Sequence, residues 1–295
     1  MTVALKPSSS LGKYLDTKKV PTRLLGPIER HLMSEPPEDR RQDVIHPSEL
    51  CKKDFCARAV YFRIRDNIQP TDKPRMQMQN IFDEGHFIHD KWQQRIWRMG
   101  NLYGKFTCRS CNDTRWSISP TICESCGAGR ALLKYAEVTL FDDELMIAGH
   151  SDGWVKGLGD DFMIEVKSVG TGTIRMEAPA LLAEYTTAEE AWKNVRRPFG
   201  THIRQGMLYL ELARRMVDAG VMDGPAPREM VFLYELKSNQ QYKEFVVKAN
   251  PEIVKDMLDL AYDIAHALRV TDLAPQCTLK ISGSCKACAP FEGQA

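Results

Sequence analysis

The chain has 295 residues, 40 Lys and Arg against 39 Asp and Glu, a formal charge of +1, and 43% hydrophobic residues. That length holds one large domain with an insertion or two small ones, and the apolar fraction is that of a soluble globular protein. No apolar run reaches the ~18 residues of a membrane span, and the near-neutral balance excludes a uniformly basic nucleic-acid binder, so any basic surface must be local.

Residues 1–44 read as an N-terminal extension rich in Pro, Ser, Lys and Arg, with Ser8-Ser9-Ser10 in a loose tail and Ile28 to Met33 in a short helix. An unstructured or packed arm is expected there, with a DNA- or partner-binding arm as the alternative. Residues 45–100 look mainly helical. Within them Ile81 to Arg98 spaces Phe82, His86, His89 and Trp92 as a helix does. Lys52-Lys53, Arg58 with Arg63 and Arg65, and Arg196-Arg197 are local basic runs that equally suit solvated faces. Residues 102–132 form an insertion carrying four cysteines. Three strands are expected next, Tyr135 to Phe141, Glu144 to Val155 and Asp161 to Ser168. A mixed-charge helical stretch, 173–197, leads into a helix over Thr201 to Arg214. Met230 to Leu236 and Tyr242 to Val247 read as a β-hairpin that extends the sheet. Glu252 to Arg269 is an amphipathic helix, and 274–290 is a Pro/Cys loop. The pattern predicts an α/β fold with a central mixed sheet between helices, residues 45–290 making one domain. There is no Walker motif, so any helicase activity would come from another chain.

The chemistry concentrates in three short motifs. Gly149-His150-Ser151-Asp152 ends one strand, and Glu165-Val166-Lys167 lies on the next, thirteen positions on. Folding the two strands back about Gly159 brings Asp152 opposite Val166 and beside Glu165, while Glu165 and Lys167 share a strand face. Two carboxylates and an ammonium at one end of a hairpin suit phosphodiester hydrolysis. Mg²⁺ or Mn²⁺ on the carboxylates would neutralise the phosphate and activate water, and Lys167 would steady the developing charge. His89 and the Val166 carbonyl are candidate further ligands. Glu137 is within reach of the metals, though an exposed edge-strand charge is the simpler reading. Gln205 and Tyr209, four apart on a helix, share a face and suit contacts to a phosphate or base; Arg204 adds a cation. Each residue alone would pass for a turn acid, a surface charge or a core helix residue.

All nine cysteines fall into clusters. Cys108-x-x-Cys111 and Cys123-x-x-Cys126, eleven residues apart, form the two knuckles of a zinc ribbon. Disulfides are the alternative, but nothing in the chain points to an oxidising compartment. Lys105, Arg109 and Arg115 give this segment some capacity to grip DNA; bracing is the alternative. Cys277, Cys285 and Cys288 near the end need a distant fourth ligand, Cys56 or Cys51, and four thiolates serve either zinc or an iron–sulfur cluster.

In order along the chain, Gly85-x-x-x-His89, Gly149-x-x-Asp152, Glu165-x-Lys167 and Gln205-x-x-x-Tyr209 resemble the PD-(D/E)XK nuclease superfamily, in the branch shared by the RecB nuclease domain and the Cas4 exonucleases. Ser151-Asp152 stands where the family's name has Pro-Asp. The resemblance spans about Ser48 to Cys288. It implies a restriction-endonuclease-like fold with His89, Asp152 and Glu165 as ligands for Mg²⁺ or Mn²⁺. Lys167 becomes the catalytic lysine, and Gln205 with Tyr209 the DNA-facing pair. It further implies a [4Fe–4S] cluster on Cys56, Cys277, Cys285 and Cys288, closing the C-terminal loop onto Cys56. The activity implied is exonucleolytic cleavage of DNA from single-stranded ends, in bacterial or phage recombination, repair or replication. A cytoplasmic setting, a helicase or recombination partner and a homo-oligomer belong to the same implication. The alternatives are a non-catalytic or redox-sensing DNA-end-binding module and a structure-specific endonuclease.

Overall fold

The computed structural model describes residues 23–36, 40–69, 73–279 and 285–291. The expected tail at Ser8-Ser9-Ser10 and the centre of the 274–290 loop lie outside them. The chain divides into two compact units, one of residues 1–39 and 70–81, the other of residues 40–69 and 82–295. In the first, helix α1 (Leu25–Ser34) covers the short helix expected from the sequence and leaves Leu25 and Met33 exposed. Lys73 Nζ donates to the Met33 carbonyl at 2.7 Å.

The larger unit opens with α2 (Pro47–Leu50) and α3 (Ala57–Arg65). Long helix α4 (Met76–Met99) follows, its spacing buried at Ile88, Gln93, Ile96 and Trp97. Then come β1 (Leu102–Cys108), β2 (Thr114–Ile118), β3 (Leu133–Ala136), β4 (Val138–Asp142), β5 (Ile147–Ser151), β6 (Gly153–Val155) and β7 (Phe162–Val169). Three short helices, α5 (Thr171–Glu177), α6 (Pro179–Glu184) and α7 (Ala188–Lys193), lead to α8 (Gly200–Asp218). Strands β8 (Glu229–Leu236) and β9 (Tyr242–Lys248) form the expected hairpin, and α9 (Lys255–His266) closes the core. The fold is mixed α/β, with a central mixed sheet flanked by helices.

The sheet runs β2-β1-β6-β7-β8-β9, parallel only between β7 and β8. Strand β2 covers Tyr103 to Thr107 along one edge of β1. On the other edge β6 pairs with Leu102 and Tyr103 while β3 pairs with Lys105 to Cys108, so β3 and β6 lie end to end. Residues 102–132 are therefore rooted in the sheet through their first strand. Strand β7, Phe-Met-Ile-Glu-Val-Lys-Ser-Val, is buried on both faces through most of its length, as a central strand with a parallel neighbour must be.

Register fixes which side chains share each face. Leu102, Phe106, Val155, Ile164 and Val231 pack with Ile96 and Trp97 of α4. Trp154, Met163, Met230, Phe232 and Tyr234 belong to the main core with α8. Gly206 permits this approach, because a Cβ there would sit 2.6 Å from the Phe232 ring.

Two strands expected to be continuous are each broken by one residue. Tyr135 to Phe141 divides at Glu137, and Glu144 to Val155 divides at Asp152. The chain changes partners at both breaks, since β4 and β5 pair with each other in a separate two-stranded sheet. Each break therefore falls at an acidic residue that leaves the regular ladder.

Candidate active site

Strand β6 pairs Val155 with Phe162, Trp154 with Met163 and Gly153 with Ile164. The next position is Asp152, so the hairpin delivers it beside β7, level with Glu165 and one residue from the Val166 that folding about Gly159 predicts. Its Oδ2 accepts the Val166 amide at 2.5 Å, and its Oδ1 lies 2.9 Å from His89 Nδ1 on α4. Val166, a candidate ligand through its carbonyl, donates its amide to that carboxylate. Gln93, one turn beyond His89, donates to the Asp152 carbonyl at 2.9 Å and to Glu137 Oε1 at 3.3 Å. Ligand atoms of His89, Glu137 and Asp152 lie within 4.8 Å of one another. Glu137, read more simply as an edge-strand charge, falls at the break between β3 and β4, within reach of this group.

Glu165 and Lys167 lie beside this group. Lys167 Nζ donates to Glu165 Oε1 at 2.7 Å and to Gln205 Oε1 at 3.0 Å. The other carboxyl oxygen of Glu165 is buried without a hydrogen-bond partner among the described residues. Burial raises the Glu165 carboxyl to about 7, with Lys167 opposing and Asp152 adding to the rise. Burial and then the Asp152 charge likewise raise Glu137 to about 7. Burial opposes a charge on His89, but the Asp152 carboxylate outweighs it and raises the imidazole. For Lys167, burial is outweighed by Glu165 and Asp152, so the ammonium is held protonated. Crowded carboxyls and one orphaned buried oxygen are a donor set that fits a hard divalent cation.

The pair on α8 divides its roles. Gln205 reaches Lys167, and its Nε2 donates to the Tyr209 hydroxyl at 3.0 Å. Tyr209 is 4% exposed within the main core, so it does not face DNA as the resemblance implies. It holds Gln205, which in turn holds Lys167. Arg204 is half-buried one position earlier; burial raises the thiol of nearby Cys51, with the charges of Lys167 and Arg204 opposing the rise.

The cysteines gather in two sets of four. In the ribbon, Cys108 and Cys126 sulfurs are 3.6 Å apart, as are those of Cys111 and Cys123. Both knuckles are built alike. The amide of Asn112 returns to the Cys108 carbonyl, and that of Gly127 to the Cys123 carbonyl, both at 2.8 Å. Asn112 and Gly127 have φ of 58° and 72°, the left-handed region that Asn and Gly tolerate best. Burial opposes ionisation of Cys108, yet the Cys111 and Ser110 amides help bring it down to about 7. Arg115 ties the knuckles together through Asp113 at 2.7 Å and Glu124 at 2.9 Å.

The second set unites Cys56, Cys277, Cys285 and Cys288, all within 4.8 Å. Cys56 lies 3.8 Å from Cys277, and Cys285 lies 3.7 Å from Cys288. Cys51 is excluded: its buried thiol donates to the Ser48 carbonyl at 3.5 Å. These separations match the tetrahedral edge around one ion at a metal–sulfur distance of about 2.3 Å. In a [4Fe–4S] cluster each thiolate binds a different iron, which holds the sulfurs farther apart. The four sulfurs as placed fit one ion and do not fit the cluster. Phe291 stacked on Phe62, and Thr278 donating to the Phe55 carbonyl at 2.7 Å, bind the same C-terminal loop to α3.

No protein-family model matches the chain, and no curated protein matches it. Among solved structures it is similar to an alkaline exonuclease (LHK-Exo) from Laribacter hongkongensis, at 13% identity and a TM-score of 0.42, over 78% of this chain and 90% of that one. LHK-Exo in complex with dAMP gives 13% identity and 0.40 over the same shares. SSO0001 gives 13% identity and 0.35, over 84% of each chain. At such distances the functional case rests on the site's own geometry. Among the described residues no helix is long and apolar enough to cross a membrane.

Proposed function

We propose that this protein is a metal-dependent deoxyribonuclease that cleaves phosphodiester bonds from single-stranded DNA ends. The observation that supports it best is the convergence of His89, Glu137 and Asp152 beside a buried Glu165–Lys167 pair whose free carboxylate oxygen has no partner among the described residues. Mg²⁺ or Mn²⁺ held by His89, Glu137, Asp152 and that open Glu165 oxygen would neutralise the phosphate and lower the pKa of a bound water. Lys167 keeps its proton and offers a cation where negative charge accumulates on phosphorus-bound oxygen. Gln205, braced by Tyr209, fixes the direction of the ammonium. Gln93 anchors the backbone of Asp152 and steers Glu137, so α4 sets the ligand geometry. The resemblance to the PD-(D/E)XK superfamily points the same way, and the exonucleolytic preference and the recombination, repair or replication setting rest on it. So do a helicase or recombination partner and a homo-oligomer. The ribbon set takes zinc in this reading, and the terminal set takes one tetrahedral thiolate-bound ion.

The test is Mn²⁺-dependent cleavage of end-labelled single-stranded DNA by wild type and Asp152→Ala protein, with closed circular single strands as a parallel substrate. Loss of cleavage in the variant and intact circles are expected. A wild type that retains its thiolate-bound metals and still does not cleave would overturn the enzyme reading, and cut circles would replace the exonuclease with an endonuclease.

A further inference from the structure

The sheet face that carries Glu165 and Lys167 continues past the edge of the core. Register pairs Met163 with Trp154, Trp154 with Tyr103, and Lys105 with Trp116, so these residues share one face. On β3, Lys134 pairs with Thr107 and joins the same face. Over β7 and β8 this face belongs to the core shared with α8. Over β1, β2 and β3 it reaches solvent: Trp116 is 41% exposed, and Lys134 is exposed.

That outer part is aromatic and cationic. The Tyr103 and Trp116 rings stack at 5.4 Å and 28°. Lys105 lies over Trp116 at 5.5 Å, and Lys156 over Tyr103 at 4.1 Å. Lys156 also faces Asp161 at 3.4 Å, whereas Lys105 and Lys134 make no ion pair among the described residues. Tyr103 has a packing task, since it covers the buried Trp154 edge-to-face. Trp116 has none of that kind, because it stacks on the outside of Tyr103. An exposed indole among unpaired ammonium groups matches a polymer of π-faces and phosphates.

We infer that Tyr103, Lys105, Trp116, Lys134 and Lys156 form a track for single-stranded nucleic acid leading to Glu165 and Lys167. An unpaired base stacks on Trp116 while Lys105 and Lys134 meet the adjoining phosphates. Strand β2 stands three strand spacings from β7, about 14 Å, which a few nucleotides span. A base within a duplex has no free face to offer, so the track selects unpaired strands. The inference rests on the nuclease reading for its direction, while binding itself can be read without cleavage.

The experiment measures anisotropy of a labelled thymidine oligonucleotide of about a dozen residues, bound to full-length Asp152→Ala protein so that no cleavage intervenes. Added Trp116→Ala should weaken binding at least tenfold with the salt dependence unchanged. Added Lys105→Glu with Lys134→Glu should weaken it at least as much and lower the salt slope by roughly one to two. Photocrosslinking of a 5-bromouracil oligonucleotide to the parent protein, which needs no face variant, should label the peptides holding Tyr103 and Trp116. Parent-like binding by both variants, crosslinks confined to other peptides, or equal affinity for duplex would each overturn the inference. Binding through this face by a wild type that never cleaves would leave the track standing and remove the nuclease.

Discussion

Glu137 and Asp152 each fill a single-residue gap between two strands, and their carboxyl oxygens come within 4.8 Å of one another. Neither ladder can hold these side chains, so both turn into the space that α4 closes with His89 and Gln93. The proximity costs stability. Burial and then Asp152 raise the Glu137 carboxyl from 4.5 to about 7. Its ionisation therefore opposes folding: the penalty is absent below the unfolded value, grows as pH rises through about 7, and is fully present above it. Glu137→Gln removes the charge and keeps an oxygen for Gln93. Its expected effect at pH 8 in metal-free solution is a gain on the order of 2 kcal/mol, after discounting partial solvent exposure. The gain should vanish by about pH 4, and cleavage should fall at least a hundredfold. Urea denaturation at the two pH values, with cleavage assays at pH 8, checks this. A variant no more stable than wild type would remove the repulsion argument.

Lys167 should matter to turnover more than to metal binding. Its ammonium is held by Glu165 at 2.7 Å and Gln205 at 3.0 Å, and while protonated it has no lone pair to offer a metal. Lys167→Gln keeps a polar group for both partners. Expected is a fall of about 10² to 10³ in kcat, the scale of one lost electrostatic stabiliser, with Mn²⁺ affinity in calorimetry unchanged or tighter. Gln205→Ala should show a smaller fall in kcat, because it frees the ammonium without removing it. Loss of Mn²⁺ binding with Lys167 would make it a structural counterion of the carboxylates instead.

The Glu165–Lys167 pair was legible because its information is local. Strand alternation puts Glu165 and Lys167 on one face, and the glycines of the turn, Gly157 and Gly159 with φ of 84° and 97°, fold Asp152 back beside them. His89 and Gln205 follow from helical spacing once their helices are drawn. Glu137 was legible only as one of two readings, because continuous apolar spacing from Tyr135 to Phe141 suggests one strand, and nothing local marks the change of partner at Val138. Its signal was of the kind Asp152 gives, an acid interrupting an apolar run. Tyr209 misleads in the opposite sense: the helical face it shares with Gln205 was readable, but its burial depends on α2 and β5, where Pro47 and the Tyr209 ring both crowd Gly149. The choice between Cys51 and Cys56 depends on the C-terminal loop more than two hundred residues away, which no local pattern contains.

The two cysteine sets should differ in what they support. The ribbon set lies within residues 108–126, whereas the terminal set joins the start of α3 to Cys277, Cys285 and Cys288. Elemental analysis of anaerobically purified protein should give about two thiolate-bound ions per chain. Cys123→Ser should lose one ion with a modest change in Tm. Cys288→Ser should lose the other and lower the Tm of the whole larger unit, because metal binding free energy there is folding free energy. Iron with acid-labile sulfide in the terminal set would overturn the single-ion reading and require the four sulfurs to spread.

His202 gives the larger unit a pH dependence separable from its carboxyls. The ring lies on α8 against Phe199 and Tyr234, with Nδ1 2.5 Å from the Tyr234 hydroxyl. Burial, and then the Lys167 charge, push it down to about 2, so it stays neutral in the folded protein. An unfolded histidine titrates near 6.5. Above that pH the two states bind the same number of protons at this site. As pH falls below it only the unfolded state gains one, and stability is lost progressively down to about pH 2. The loss between pH 7 and pH 5 should be about 2 kcal/mol. Glu137 and Glu165 act in the opposite direction over the same range, so the raw stability of wild type would conceal the effect. The difference between wild type and His202→Gln isolates it. Whatever its value at pH 7, that difference should shift by about 2 kcal/mol against wild type at pH 5. A constant difference would mean that His202 takes up its proton in the folded state, placing a second cation beside Lys167.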